Sequence, residues 1–243
     1  MRILNFAKRN FKEIIRDPLS IVFAILLPLF LLLIFKQINI PSENYELKNF
    51  TSGIIVFGFS FITLFTAMLI SKDRTSSLLV RLGISPMKPI EYILGYMLAI
   101  IPITLIQNVL FFLLAIVLGV GFSINIILAI LVSVIVAVLF IAIGIIIGSI
   151  FTEKAASGIS SIIVQLVCFT SSMYFPKEML GDFFSKVCEF LPFESCVTII
   201  KGIMNNAIDI ISLRNIVVFS IYTIIVLALS IMIFKKKMLS DKK

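Results

Sequence analysis

Six long apolar blocks, none of which contains Asp, Glu, Lys, Arg or His, constrain the fold of this sequence more than any other feature. The blocks cover residues 19–35, 53–71, 93–121, 124–152, 157–175 and 216–234. A helix crosses a bilayer with about 20 mostly apolar residues, at a rise of about 1.5 Å each. Transmembrane strands are disfavoured because apolar and polar residues do not alternate in these blocks. We therefore expect an all-α integral membrane protein with six transmembrane helices, in a single transmembrane domain that covers residues 1–243.

The basic residues are concentrated in alternate connecting segments. Of the 21 Lys and Arg residues, 15 lie before the first block, between the second and third, between the fourth and fifth, or after the sixth. Because Lys-rich and Arg-rich loops stay in the cytoplasm, we expect both termini to be cytoplasmic in a multi-pass protein of the plasma membrane. The net charge of +8 then reflects topology and contact with anionic lipid, and it does not indicate nucleic-acid binding.

The composition disfavours several classes of function. Hydrophobic residues make up 60% of the chain, against roughly 45–50% in soluble domains. The chain has no His and no Gly-Lys dipeptide, so histidine-based catalytic triads and a phosphate-binding GxxxxGK[ST] loop are absent. Carriers driven by ions or protons usually place ionisable side chains inside their spans. We expect no catalytic residue, metal or cofactor in this chain, and uphill transport would need energy from another chain.

Residues 1–17 are predicted to form an amphipathic helix that lies in the membrane interface. One face carries the apolar residues Ile3, Leu4, Ala7, Phe11, Ile14 and Ile15. The other carries the basic residues Arg2, Lys8, Arg9, Lys12 and Arg16. Pro18 disfavours helix at Asp17, so the helix should end there. Two interpretations stay open: a simple membrane anchor, or an elbow that also touches a cytoplasmic partner.

The cytoplasmic segment 72–92 is too polar for lipid and too short for a domain. It carries Leu78, Leu79 and Leu82 at helical spacing, with Arg74 and Arg81 beside them. The segment is either a solvated connector or a short helix that docks into a cleft of a partner.

The external segment 176–215 is the longest connection, and it keeps apolar residues at helical spacing on both sides of Pro192. Pieces of this length do not span a bilayer but lie on it or dip into it. They either cap an exit route or serve only as packing helices. Cys188 and Cys196 lie in this segment, where a disulfide and two thiols are both compatible with the sequence.

A few polar and small residues occur inside the spans. Gln107, Asn108 and Gln165 carry the strongest polar groups there, and they either hydrogen-bond between helices or line a pathway. Gly144 and Gly148 form a close-packing pattern in the fourth span, either within one subunit or between subunits.

Taken together, these features resemble the membrane subunits of type-2 ABC exporters over nearly the whole chain. The shared features are a basic elbow, six spans, a characteristic loop after the second span and paired motifs after the fifth. The loop residues that match are Asp73, Arg74, Leu78, Leu79, Leu82, Ser85, Pro86 and Gly95. The paired motifs are Phe175-Pro176 and Leu191-Pro192, similar to the re-entrant helices of that family. The sequence departs from the family where Asp73 replaces the usual Glu and where Thr75-Ser76 replaces a Gly-Thr pair.

The resemblance implies a non-catalytic permease subunit that exports a drug, an antibiotic peptide, a lipid or a similar amphiphile. It implies a dimer of two such subunits, a homodimer rather than a heterodimer, with two copies of a separate ATPase that binds ATP and Mg. The ATPase-coupling residues would be Asp73, Arg74, Leu78, Leu79, Arg81 and Leu82. The alternatives are an ATP-independent carrier or facilitator, and a peptide-binding membrane protein of the immunity type.

Overall fold

The computed structural model describes residues 2–38, 46–76, 87–175 and 181–240. These residues form nine α-helices and contain no strand. The helices are α1 (Arg2–Ile15), α2 (Pro18–Gln37), α3 (Leu47–Thr75), α4 (Pro89–Ala115), α5 (Ile124–Ile150), α6 (Glu153–Thr170), α7 (Asp182–Phe190), α8 (Pro192–Met204) and α9 (Leu213–Ser240). A π-helical turn (Ile116–Val120) extends α4, and a 3₁₀ turn (Ile208–Ile210) precedes α9.

The all-α fold is confirmed for the described residues. Among the residues that the structure describes, four helical segments are long and apolar enough to cross a membrane: Leu47–Thr75, Pro89–Val120, Ile124–Ile150 and Leu213–Lys237. The first predicted span corresponds to α2, whose described apolar stretch, Ala24–Gln37, is shorter. The fifth corresponds to α6, which begins at Glu153 and ends at Thr170. The count of six spans therefore stays a prediction.

Capping and turn residues explain how α4 and α5 form a tight hairpin. Glu91 accepts a hydrogen bond from the backbone N–H of Lys88 at 2.6 Å, which closes the first turn of α4. At the other end, Gly119 and Gly121 have φ values of 113° and 75°, a conformation that glycine adopts without a steric penalty. The Ser123 hydroxyl then accepts from the N–H of Asn125 at 3.1 Å and starts α5.

Helix α3 is the centre of the bundle, and it packs against α2, α4, α5, α6 and α8. Its closest neighbour is α5, because Gly144 and Gly148 leave no side chain between the two backbones. A Cβ on Gly144 would lie 2.7 Å from the carbonyl oxygen of Thr63, and one on Gly148 would lie 2.6 Å from that of Ala67. In this structure the two glycines therefore pack within one chain.

The helices alternate in direction between two ends of the bundle. Helix α1 lies at one end, together with the last turns of α3 and α5 and the first turn of α4. We call this the α1 end. The α4–α5 turn and the first turn of α9 lie at the opposite end, where α7 and α8 also pack.

The segment predicted to be external contains α7 and α8, with Pro192 in the first turn of α8. Cys188 and Cys196 are both buried, and no disulfide joins them. In this structure the two residues are buried as thiols.

Candidate functional site

The last turn of α3 carries three consecutive charged residues, Lys72, Asp73 and Arg74, immediately before the segment 77–86 that lies outside the described residues. Successive positions on a helix point about 100° apart, so the three side chains face different neighbours. Each of them bonds to another part of the protein. This turn, which we call the charged turn of α3, is the candidate functional site.

Asp73 is buried, with 1% of its side chain exposed. Its Oδ2 atom accepts a hydrogen bond from Nη1 of Arg9 on α1 at 2.7 Å and another from the hydroxyl of Tyr96 on α4 at 2.8 Å. A buried carboxylate is stable only when it is paired and hydrogen-bonded, and these two donors fill that role. The three residues therefore join α1, α3 and α4 through one charged oxygen.

The same contact changes the acidity of Arg9. Partial burial by itself would lower the pKa of the guanidinium, but the hydrogen bond and the charge of Asp73 outweigh it, and the pKa of Arg9 is raised. Arg9 is therefore held in its charged form beside Asp73.

Aromatic packing holds α1 on α4 beside this ion pair. The ring of Phe6 meets Tyr92 edge to face at 5.3 Å and Tyr96 at 5.0 Å. Gly95 lies between the two tyrosines on α4, and the ring of Phe6 occupies the space that a Cβ there would need. Phe234 of α9 packs against both tyrosines from the other side. The first helix is thus fixed by both charge and shape.

Arg74 bonds to the end of α5. Its Nη1 atom donates to the carbonyl oxygens of Gly148 at 3.2 Å and Phe151 at 3.4 Å. The last carbonyls of a helix have no partner within the helix and carry partial negative charge, so an arginine stabilises them. Arg74 thereby links the charged turn of α3 to the α5–α6 connection.

Lys72 makes the third link, which is the most exposed. Its Nζ atom lies 2.7 Å from Oε1 of Glu13 on α1. The hydrogen bond from Lys72 lowers the pKa of Glu13 below its ordinary value. The lysine and glutamate side chains are 55% and 27% exposed, so this pair contributes less to stability than the buried pair does.

Comparison with known proteins decides the family. Residues 2–206 match the family model of the ABC-2 type transporter. The chain belongs to the ABC-2 type transporter family. It is therefore a membrane transport component of the ABC type, as the sequence features predicted, and such permeases normally work with an ATPase subunit in a membrane complex. No curated protein sequence matches the chain.

The residues predicted for ATPase coupling in this ABC-2 transporter chain divide into two groups. Asp73 and Arg74 lie in the charged turn of α3. The other four, Leu78, Leu79, Arg81 and Leu82, lie outside the described residues. The structure therefore describes the base of the predicted coupling segment, and the role of its Leu residues stays a prediction.

The three polar residues predicted for the pathway occupy different environments. Gln107 and Asn108 are buried, and each donates one hydrogen bond: Gln107 to the carbonyl of Ala24 at 3.4 Å, Asn108 to the hydroxyl of Ser133 at 2.8 Å. Their side-chain carbonyl oxygens have no hydrogen-bond partner among the described residues. Gln165 lies on the exposed face of α6. The structure does not bring it together with the other two.

Sequence reasoning missed Arg9 and Tyr96 as members of the site. The signal that could have found Arg9 is the need of a lone Asp at the end of an apolar span for a cation, but this need does not say which basic residue supplies it. The choice of Arg9 depends on how α1 rotates when Phe6 packs over Gly95. Tyr96 carried no signal in the sequence, because it lies among apolar residues of a span.

Proposed function

We propose that this chain is the permease subunit of an ABC exporter, and that separate ATPase subunits drive it by acting on the segment that follows the charged turn of α3. The observation that carries the proposal is the threefold anchoring of that turn: Asp73 to α1 and α4, Arg74 to α5, and Lys72 to α1. A segment that only connects two spans does not need to be bonded to three other helices at its start. A segment that transmits force to those helices does need such bonds.

The proposed orientation places the α1 end in the cytoplasm. Both termini are then cytoplasmic, α2 and α6 complete a set of six spans in the plasma membrane, and α1 lies in the interface as the elbow. Several basic side chains at the α1 end are exposed, which favours that end facing the cytoplasm. The chain itself carries out no catalysis, and the partner binds ATP and Mg.

The anchoring supports a simple mechanical account. A displacement of residues 77–86 by the ATPase would move α3 first. Because Asp73 is bonded to α1 and α4, and Arg74 to α5, these three helices would move together with α3. Because packed helices shift as rigid bodies rather than deform, the expected result is a tilt of the group around α3. A cavity whose polar lining is Glu13, Asp17, Lys72 and Glu153 lies between α1, α3 and α6, and it adds acidic surface next to the charged turn of α3.

The exposed face of α6 supports a pathway between two copies of the chain. Ser161 and Gln165 are exposed on this apolar helix, although polar groups at membrane depth are costly against acyl chains. We propose that α6 faces a second copy, in a homodimer, and lines the route for a drug, an antibiotic peptide, a lipid or a similar amphiphile. Gln107 and Asn108 lie buried between other helices, so a pathway role for their unpartnered oxygens would be separate from the α6 face.

Copurification with an ATPase tests the proposal. The tagged chain is extracted from membranes of its native host, and the bound proteins are examined for one with a GxxxxGK[ST] loop. We expect such an ATPase with the unmodified chain. The triple variant Leu78→Asp, Leu79→Asp, Leu82→Asp should lose at least tenfold of it, because charged side chains do not enter an apolar cleft.

The matched control places the same kind of charge at the opposite end of the bundle. Phe183 and Phe184 of α7 are 73% and 57% exposed, so the double variant Phe183→Asp, Phe184→Asp changes exposed apolar residues without touching the charged turn. It should retain the ATPase. Equal retention by both variants, or transport by the reconstituted chain with no ATPase present, would contradict the proposal.

A further inference from the structure

A groove at the opposite end of the bundle runs between α7 and the first turns of α9. Its polar residues are Lys186 and Glu189 on α7 and Arg214 on α9. Its apolar lining comes from Phe190 and from one face of α9. Including its open mouth, the groove has a volume of about 760 Å³, which falls in the range of pockets that hold small ligands.

The charge of the groove is positive. Arg214 bonds to Glu189, with Nη2 3.2 Å from the carboxylate oxygen and 3.4 Å from the backbone oxygen, so the carboxylate orients the guanidinium. Lys186 is exposed and makes no ion pair within the described part of the chain. Two cations therefore face one carboxylate. The positive charge is confined to the groove. The predicted external segments as a whole carry six basic and seven acidic residues, a net charge of −1.

Below these charges the groove is apolar. Val218, Ile221 and Tyr222 lie four, seven and eight residues after Arg214, a spacing that places all of them on one face of α9. The ring of Phe190 meets that of Tyr222 edge to face at 6.0 Å and closes one side. The same face continues into the bilayer with Ile225 and Leu229, both exposed. The groove thus has a cationic head and an apolar tail.

We propose that this groove binds an anionic phospholipid of the adjacent leaflet. The phosphodiester would lie against Lys186 and Arg214, and one acyl chain would follow Val218, Ile221 and Tyr222. An anionic headgroup fits better than a zwitterionic one, because Lys186, Arg214 and Glu189 together carry a net charge of +1, which attracts a lipid of net negative charge and repels the cation of a zwitterionic headgroup. The site is independent of ATPase coupling.

The absence of tryptophan from the sequence makes a direct test available. A single Trp is placed in the groove by Ile221→Trp, and a control Trp by Leu131→Trp on α5. Ile221 lies eight residues into α9 and Leu131 seven residues into α5, both from the same end, so the two report on similar depths. Both side chains are exposed, at 50% and 59%. The full-length chain is reconstituted in vesicles with brominated phosphatidylglycerol or brominated phosphatidylcholine, and fluorescence quenching gives the relative affinity.

We expect the groove Trp to favour phosphatidylglycerol over phosphatidylcholine by about fivefold, the effect of one cation near a headgroup. The control Trp should show no preference. Adding Lys186→Ala should abolish the preference at the groove, whereas Lys48→Ala, at the same end but outside the groove, should preserve it. Low reactivity of the buried Cys188 and Cys196 thiols confirms that each variant is folded.

Three results would overturn the assignment. Equal quenching by the two lipids at Ile221→Trp would mean ordinary bilayer lipid. A preference for phosphatidylcholine would mean a different headgroup chemistry. Weak quenching by both lipids at this position alone would mean that protein, such as a second copy of the chain, covers the groove.

Discussion

At the scale of single residues, the account depends on Asp73, which is a buried carboxylate among apolar helices. The resemblance of the loop after the second span to that of type-2 ABC exporters predicted a role for this residue in ATPase coupling, which stays a prediction. Its partners could not be predicted, since Arg9 is 64 positions away and Tyr96 looks like any other span residue. Arg9 and Tyr96 meet Asp73 because Phe6 packs on Gly95 and sets how closely α1 lies to α4. No local sequence pattern predicts that contact between helices.

Removal of the charge of Asp73 should destabilise the protein. In Asp73→Asn the amide still accepts from Tyr96, but Arg9 loses its counter-ion, so we expect a loss of about 2 kcal/mol, less than for a fully buried pair because Arg9 is partly exposed. The loss should appear as a fall of about 5 °C in the midpoint of thermal unfolding. A thiol-reactive dye measures it, because Cys188 and Cys196 are buried in the folded state.

The matched control for this prediction is Asp182→Asn, which makes the same change at an exposed position. It should leave the midpoint within about 1 °C, as expected for a surface change of less than about 0.5 kcal/mol. Equal midpoints for Asp73→Asn and the unmodified protein would mean that the buried pair does not hold α1 in place.

At the scale of helices, the sequence predicted the existence of the apolar elements better than their limits. Helix α3 begins at Leu47, six residues before the predicted span, because nothing in its polar first turn breaks a helix. Helix α6 is shifted toward its start, since Glu153 favours the first turn of a helix and Ser172 adopts a positive φ of 55° just after its end. A hydropathy pattern marks the stretch of residues that can lie in lipid. The first and last residues of the helix are set instead by capping and turn residues.

Close packing of α5 against α3 gives a prediction at this scale. Gly144→Ala and Gly148→Ala each place a Cβ within 2.7 Å of a backbone oxygen of α3, so the helices must separate or shift. We expect each variant to lose about 1–3 kcal/mol, measured as a lower midpoint in the same thiol assay. Gly158→Ala is the control, because within one chain nothing lies within 4 Å of its added Cβ.

A helical alanine without steric conflict should stabilise the protein by about 0.5–1 kcal/mol, so Gly158→Ala should shift the midpoint upward. The three variants differ only in what the new methyl group meets. A similar response from all three would show that the α3–α5 contact is looser than the structure has it.

At the scale of the whole molecule, composition and charge predicted a membrane protein, and the family match confirmed an ABC-type transport component. Composition and charge could not predict the arrangement of subunits, because an apolar helix face can pack equally well against lipid or against a second copy of the chain. Helix α9 illustrates this, since only 6% of the residues in its most apolar stretch are buried within the chain. Helix α6 differs from it by the exposed amide of Gln165.

Cysteine cross-linking tests whether α6 faces a second copy. In a chain whose three cysteines are replaced by alanine, Gln165→Cys should form a disulfide-linked dimer under oxidation in the membrane. Ile224→Cys on α9, 67% exposed, should stay monomeric because lipid covers it. A dimer formed through Ile224→Cys but not through Gln165→Cys would place the subunit interface on α9.

The most direct measurement is ATP hydrolysis by the purified chain and by its complex from native membranes. We predict no hydrolysis above background for the chain alone, since it lacks a GxxxxGK[ST] loop. The copurified complex should hydrolyse ATP, and the Leu78→Asp, Leu79→Asp, Leu82→Asp preparation should lose this activity along with the partner. Robust hydrolysis by the chain alone would contradict the account.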